Sequence, residues 1–267
     1  MILSLGARFD LKNRRSGNDR EKLSPRVALI YLPSDNWEFK LSYSQSFVDS
    51  PYWYRYNSLV LFGGSVDTDP EVLGATQGQV TYTSDDKKIR NTSVIYYQKG
   101  DDLLTARTTS PRYVNSGRVE SIGLENEFAY LEAKWQTFFN FQYYQATSTI
   151  DYKTFDDTAF AHVPQITANL IFNYYLSKDF LVNATLRYIG EKKYSDGTDD
   201  VTVDAAFLAN LGARYENLLF DGLSLDARVY NVTDEEHYQG GQNANTGTQR
   251  PFLQAGTWYM ATIGYEF

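Results

Sequence analysis

From Trp135 the chain places Trp135, Thr137, Phe139, Phe141 and Tyr143 on one side and Gln136, Asn140 and Gln142 on the other. That is period two, the alternation of a strand with one apolar and one polar face. The same pattern recurs at Ile166, Ala168, Leu170, Phe172 and Tyr174, and at Val182, Ala184, Leu186 and Tyr188. It continues in Val203 to Tyr215, in Leu223, Leu225, Ala227 and Val229, and in Tyr259, Ala261, Ile263, Tyr265 and Phe267. Upstream, Leu3, Leu5, Ala7 and Phe9 oppose Ser4, Gly6, Arg8 and Asp10. Phe39, Leu41 and Tyr43 oppose Lys40, Ser42 and Ser44, while Ile122, Leu124, Phe128 and Tyr130 oppose Ser121, Glu125 and Glu127. Segments near 24–32, 76–84 and 88–98 alternate less cleanly. The pattern predicts about twelve strands and no helix. Asn126 falls on the apolar phase of its strand, and Trp258 and Met260 on the polar phase of the last; local bulges would change either assignment.

The connections alternate in length. Short turns are expected at Pro33–Asn36, Ser84–Lys87, Glu132–Lys134, Ser177–Asp179 and about Glu216–Gly222, with longer links near 10–23, 48–74, 99–117, 146–163, 189–200 and 231–253. A soluble sandwich has no reason to gather short turns at one end and long loops at the other. A transmembrane β-barrel does, with short periplasmic turns and long extracellular loops. Strands of ~9–11 residues suffice to cross hydrocarbon when tilted. A closed barrel also satisfies every backbone polar group in lipid. The fold class expected is therefore all-β, an antiparallel transmembrane β-barrel, with its apolar face outward. Tyr143, Tyr144, Tyr174, Tyr175, Tyr188, Trp258 and Tyr259 near strand ends fit interfacial aromatic girdles.

Composition narrows the chemistry. The 267 residues carry 25 Lys and Arg against 33 Asp and Glu, a formal charge of −8, which argues against nucleic acid as a partner. Absence of Cys removes disulfides, thiolate metal sites and cysteine nucleophiles. Twenty-two Tyr and 16 Phe at a mean hydropathy of −0.45 suit a chain with one apolar and one wet face. No apolar run approaches the ~18 residues of a spanning helix, and the N-terminus has no secretory signal pattern. Phosphate loops, serine elbows and zinc-binding helices are missing from the sequence, and no cofactor is expected. The histidines, His162 and His237, fall in long links, where solvated loop residues are the simpler reading than iron or haem ligands. Asp196, Asp199 and Asp200 lack the spacing of a calcium loop, and Asp67, Asp69 and Glu71 take the same reading of an acidic, hydrated loop. Asn91, Asn183 and Asn231 head N-x-S/T triplets, which match a glycosylation acceptor by pattern alone.

Specific wording adds a family. Tyr113 to Glu125, with Asn115, Gly117, Gly123 and Glu125, resembles the N-x-G … x-G-h-E segment of TonB-dependent outer-membrane receptors. Leu23-Ser24-Pro25-Arg26 followed by Tyr43-Ser44-Gln45-Ser46-Phe47, and Val163-Pro164-Gln165 opening a strand, are similar to phrases of the same family. Tyr230-Asn231-Val232-Thr233-Asp234 through Tyr238 resembles its N-h-x-D segment before the last loop, which here carries Arg250 and Pro251. The chain ends on a strand at Phe267. The resemblance covers essentially all of it.

The resemblance implies the C-terminal half of a 22-stranded receptor barrel, residues 1–267, without the globular plug domain and signal peptide that precede such barrels. It implies a bacterial outer-membrane location among lipid and lipopolysaccharide. It also implies import of an extracellular ligand, a ferric siderophore or similar metal chelate first, powered through the plug by the TonB–ExbB–ExbD system, with no covalent chemistry. A stand-alone small barrel, acting as a passive channel or an outer-membrane hydrolase, is the alternative. The residues themselves offer one ligand-contact candidate, the loop bearing Tyr52, Trp53, Tyr54 and Arg55. Flat aromatic area plus a few polar groups is what a capturing mouth needs; packing of the loop on itself, or membership of the girdle, is the competing role. Glu125, Glu127, Arg187, Arg214, Asp226 and Arg228 fall on the polar face, where in this family they face the plug.

Overall fold

The structure is a computed structural model and describes residues 1–14, 17, 19–57, 64–106, 113–150, 153–155, 163–195, 200–242 and 249–267. Strands follow one another as β1 (Ile2–Lys12), β2 (Arg20–Ser34), β3 (Trp37–Val48), β4 (Glu71–Thr83), β5 (Ile89–Ala106), β6 (Tyr113–Leu131) and β7 (Trp135–Ile150). They continue as β8 (Lys153–Phe155), β9 (Ile166–Ser177), β10 (Phe180–Ile189), β11 (Lys192–Ser195), β12 (Asp200–Val203), β13 (Ala206–Glu216), β14 (Leu223–Tyr230), β15 (Tyr238–Gln242), β16 (Gln249–Leu253) and β17 (Trp258–Tyr265). One antiparallel meander runs β1-β2-β3-β4-β5-β6-β7-β9-β10-β13-β14-β17, with β1 and β17 at its two ends. These are the twelve strands expected. β8 adds to β7, while β11 with β12 and β15 with β16 make separate hairpins inside two of the long links.

A meander of antiparallel neighbours sends successive connections to opposite ends. The links β2–β3, β4–β5, β6–β7, β9–β10 and β13–β14, of two to six residues, all share one end, while the four longest links, β3–β4, β7–β9, β10–β13 and β14–β17, lie at the other together with the six- and seven-residue links β5–β6 and β1–β2. The short-turn end is tied together by the backbone: Thr83 N–H donates to Asn36 O, Leu131 to Lys88 O, Tyr175 to Lys134 O and Glu216 to Asp179 O, each at 2.8 Å, and Glu266 to Gly222 O at 3.0 Å. Every short turn thus offers a carbonyl to the strand that follows its hairpin.

Register carries the two-faced pattern across the sheet. One row reads Leu3, Leu29, Leu41, Gly78, Ile95, Leu124, Tyr143 and Ile166. Three residues along, on the other face, Glu38, Thr81, Thr92, Glu127, Asn140, Asn169 and Arg187 stand in line. Thr81 and Thr92 share a hydrogen bond of 3.2 Å there. The apolar row is not a core. Buried apolar residues among those described are Ala146, Val203, Ala206 and Ala209, whereas Leu41, Ile95, Leu211 and Ile263 are all more than half exposed. A water-soluble sandwich would bury its largest side chains and leave the small ones out; this sheet does the reverse, as a wall bathed by acyl chains must.

The belt has visible borders. Near the short turns, Trp37 packs on Tyr82 and Tyr130 on Trp135, with ring centroids 4.8 and 4.7 Å apart. On β6 the outward phase is apolar or aromatic from Ile122 to Tyr130, apart from Asn126, and then becomes Glu120 and Arg118. These pair at 3.2 Å, and Lys99 pairs with Asp101 at 2.9 Å on the neighbouring strand. Such a span fits the ~9–11 residues needed to cross hydrocarbon, and β5 and β6 continue well past it.

Three expectations are corrected. The links near 10–23 and 99–117 are shorter than expected, because β1 runs to Lys12 and β2 starts at Arg20, and because β5 runs to Ala106 and β6 starts at Tyr113. A register shift between Gly100 and Leu104, with Asp102 at φ 58°, breaks the alternation that would have revealed the second. Pro33 lies in β2, at the irregularity between Tyr31 and Ser34, so the first short turn is only Asp35 and Asn36. A five-residue helix, α1 (Tyr52–Tyr56), occupies the third link, too short for periodicity to announce it. Phases that looked anomalous are real. Asn126 keeps the apolar side and is satisfied by Ser93 Oγ at 2.8 Å and Asn91 Oδ1 at 3.0 Å. Trp258 keeps the polar side, stacked on Tyr230 at 4.0 Å, with no bulge in its ladder.

Candidate functional site

At the long-loop end lies the segment between β3 and β4, which carries the four candidate contact residues. Pro51 precedes α1, whose single turn is closed by Tyr54 N–H to Pro51 O at 3.0 Å and Asn57 N–H to Trp53 O at 3.2 Å. Ser50, Thr68 and Pro70 at the loop base are buried. Two arginines, one in the β1–β2 link and one opening β2, hold that base. Arg14, with a side chain 1% exposed, donates to Thr68 O at 2.6 Å and to Asp49 Oδ1 at 2.5 Å, while Arg20 pairs with Asp69 at 2.5 Å. Asn115, from the N-x-G phrase, accepts from Asp69 N–H at 2.7 Å and donates back to Asp69 O at 2.9 Å. The chain entering β4 is thereby clamped to β6.

The four candidate contact residues divide into two pairs. Tyr52 and Trp53 are exposed, 60% and 55%. Tyr54 instead stacks on Tyr113 of β6 at 4.1 Å. Arg55 is turned inward, 3.6 Å from Asp49 and 5.1 Å over the ring of Tyr56, which itself packs on Tyr52. The self-packing role therefore accounts for the positions of Tyr54 and Arg55, and the free aromatic face belongs to Tyr52 and Trp53.

The remaining candidates fall as follows. Asp69 is engaged by Arg20, and Glu71 Oε1 accepts the Leu104 N–H at 2.7 Å beside the β5 irregularity, so both carboxylates serve the scaffold. Among the described residues no group of His, Asp and Glu is arranged to hold a metal ion. His237 Nδ1 lies 3.2 Å from Glu235 O. His162, Asp196 and Asp199 lie outside the described residues, as does the side chain of Asp200. Glu125, Glu127, Arg187, Arg214, Asp226 and Arg228 share the polar face by register, and Arg228 grips Asp226 with two bonds of 2.7 and 3.0 Å.

Two features were missed by sequence reasoning. Lys192, at the start of β11, is buried and donates to Tyr238 O at 2.7 Å; burial pushes its ammonium below the usual lysine range. Asn231 is buried at φ 49° and organises the turn after β14. It accepts from Glu235 N–H at 2.9 Å and donates to Glu235 O at 2.9 Å, while its own N–H donates to Asn210 Oδ1 at 2.8 Å. Asp234 then accepts from Thr257 N–H at 2.8 Å, fastening the start of β17. The N-h-x-D signature could have been read as such a turn, since Asn and Asp tolerate positive φ and bond nearby backbone.

No helix of the described residues is long and apolar enough to cross a membrane, which says nothing of strands. The family model described as TonB dependent receptor-like, beta-barrel, matches residues 1–232. Among solved structures, the ferripyoverdine receptor of the Pseudomonas aeruginosa outer membrane, bound to ferripyoverdine, is similar at 18% identity and TM-score 0.78, over 99% of this chain and 36% of that one. The FrpB iron transporter of Neisseria meningitidis (F5-1 variant) matches at 17% and 0.78, over 99% and 43%. The siderophore receptor PiuA of Acinetobacter baumannii matches at 16% and 0.74, over 98% and 40%. At these identities the likeness speaks for the fold. The chain spans 36% to 43% of the length of these three structures. No curated protein matches it significantly.

Proposed function

The chain belongs to the TonB-dependent receptor β-barrel family, and from that premise we propose that it is the C-terminal part of an outer-membrane receptor wall that captures a ligand outside and passes it to the periplasm. Its partners in that reading are a plug domain, the TonB–ExbB–ExbD system that pulls on it, and the surrounding lipid and lipopolysaccharide. Binding and gating do the work, with no covalent step.

The observation that carries this is the sheet itself. Its outward rows are apolar, its other face is polar, and all long connections gather at one end. A ferric siderophore or comparable metal chelate is the ligand class favoured by the iron and siderophore titles of the structural neighbours. Tyr52 and Trp53 would supply flat aromatic area for it at the mouth, with Tyr54 and Arg55 shaping the loop that presents them.

The test uses the intact receptor in cells. Growth rescue against a panel of iron chelates identifies the ligand, and Ala at Tyr52 and Trp53 should then weaken its binding by about tenfold or more, as loss of an aromatic anchor does. Assembly of the barrel should be unchanged. Unaltered affinity in that double variant discards the loop as a contact, and failure of every chelate discards the ligand class.

A further inference from the structure

We infer that the polar face of the β1–β2 hairpin, together with the end of β3, is a subsite for an oxyanion, a carboxylate or phosphate group carried by a small ligand that enters from the long-loop end. The inference rests on the reading of this sheet as a receptor wall and deepens it by naming a chemistry for one part of the ligand. Antiparallel register puts Arg8 opposite Ser24, Arg26 opposite Gly6, Lys22 opposite Asp10 and Arg20 opposite Lys12, so six charged residues of two strands share one face. Five of the six are cations, on a chain whose net charge is −8.

Most acids nearby are already used. Asp10 pairs with Arg8 at 2.6 Å, and Asp49 is held by Arg14 at 2.5 Å and by Arg55 at 3.6 Å, two guanidinium groups on one carboxylate. Arg20 has Asp69. Lys12, Lys22 and Arg26 have no ion pair among the described residues. A concave site with an excess of one sign and low-dielectric walls concentrates counter-ions.

The space is there too. A depression of about 180 Å³ is lined by Arg8, Lys12, Ser24, Arg26, Ser46 and Asp49, among others. Gly6, across from Arg26, puts no side chain over that guanidinium; a Cβ placed there would reach Arg26 Cβ only at 4.0 Å. Guanidinium forks bind carboxylate and phosphate oxygens in pairs, and hydroxyls such as those of Ser24 and Ser46 add neutral donors. The volume is below the ~300–1,000 Å³ of a complete small-molecule pocket. It suits one anionic arm rather than an entire chelate.

Calorimetric titration of the full-length receptor in detergent at low salt, with citrate and with inorganic phosphate as probes, tests this. Saturable binding that weakens as salt rises is expected. The double variant Lys12→Gln, Arg26→Gln should lose about tenfold or more in affinity, consistent with loss of charge-assisted bonds, and Arg26→Lys, which keeps the charge, should lose less. Lys87→Gln, in a turn at the opposite rim, should bind as the parent does. Heat-modifiable gel mobility confirms that each variant is folded. Folded parent that binds neither probe, or a folded double variant that binds both unchanged, overturns the subsite. So would a double variant that keeps probe binding but releases the plug domain, since the cations would then be serving a protein surface. Chelate uptake by cells is scored separately: uptake without probe binding removes the subsite and leaves the import reading, and probe binding without uptake does the opposite.

Discussion

Asn231 shows how much a single loop residue can hold. Its side chain closes a turn onto Glu235, its N–H reaches Asn210, and its carbonyl accepts from Thr257 Oγ1 at 2.6 Å, so β13, β14 and β17 meet on one residue. Asn231→Ala removes the side-chain partners of two backbone groups in a buried place and should cost ~1–3 kcal/mol, read as a lower midpoint in urea unfolding from lipid. An unchanged midpoint would mean that water replaces the side chain. Gly222 is a second such point, at φ 85°, where a Cβ would stand 2.3 Å from Glu266 O. Gly222→Ala should destabilise by ~1–3 kcal/mol through strain and displacement of the last backbone bond at the short-turn end, whereas Ala at Gly6, whose Cβ would meet only Arg26 Cβ at 4.0 Å, should be near neutral. At this scale the sequence was legible where a residue's job is local. The phases of Asn126 and Trp258 followed from counting by two. The inward turn of Arg55 and the stacking of Tyr54 on Tyr113 did not, because their partners lie on other elements and no periodicity links them.

Elements obey the membrane more than their own propensity. Clean alternation made β3, β7, β9, β10 and β13 readable, and the three blurred segments became β2, β4 and β5 for identifiable reasons: Pro25 within β2, Gly74 and Gly78 on the outward face of β4, and Asn91 with Ser93 on that of β5. If the outward rows meet hydrocarbon, Ile95→Arg near the middle of the belt should cost ~2–4 kcal/mol, while Thr92→Arg on the polar face should be tolerated; equal penalties would argue against two different solvents. The short turns form a second cooperative element. Lys88 Nζ meets Glu132 Oε1 at 2.6 Å, and Ser84 Oγ donates to Asp86 at 2.6 Å. The Ser84 bond holds the Asp86 carboxyl below its ordinary 3.8, and the Lys88 bond holds Glu132 below 4.5 and is returned as a raised Lys88 ammonium. Lowered carboxylates stabilise fully above those ordinary values and lose their contribution as pH falls through the depressed ones. The lysine's share is complete below 10.5 and is lost as pH rises through its raised value. Thermal unfolding should therefore show a drop from pH 5 to pH 2 that is smaller in Glu132→Gln; identical slopes would remove the pair from the account.

At the scale of the whole molecule, the meander places every long link at one pole and exposes its largest apolar residues while burying alanines. That arrangement was legible in the sequence because barrel topology is a rule about alternation, of side chains along a strand and of loop lengths along a chain. Hairpins within the long links, β11 with β12 and β15 with β16, were not, since loop strands have no membrane to impose a pattern on them. The same partition explains how a chain of mean hydropathy −0.45 can live in lipid: only alternate residues of each strand need to be apolar. Absence of native Cys makes the partition directly measurable. Single cysteines placed along β5 and β6 at Val94, Ile95, Tyr96, Leu124, Glu125 and Asn126, spin-labelled in the receptor reconstituted in bilayers, report collision with oxygen, which concentrates in hydrocarbon, and with a water-soluble nickel chelate. High oxygen and low nickel accessibility is expected at positions 95, 124 and 126, with relatively greater nickel access at 94, 96 and 125; uniform accessibility, or an alternation of the opposite phase, would contradict the assignment of the apolar rows to lipid.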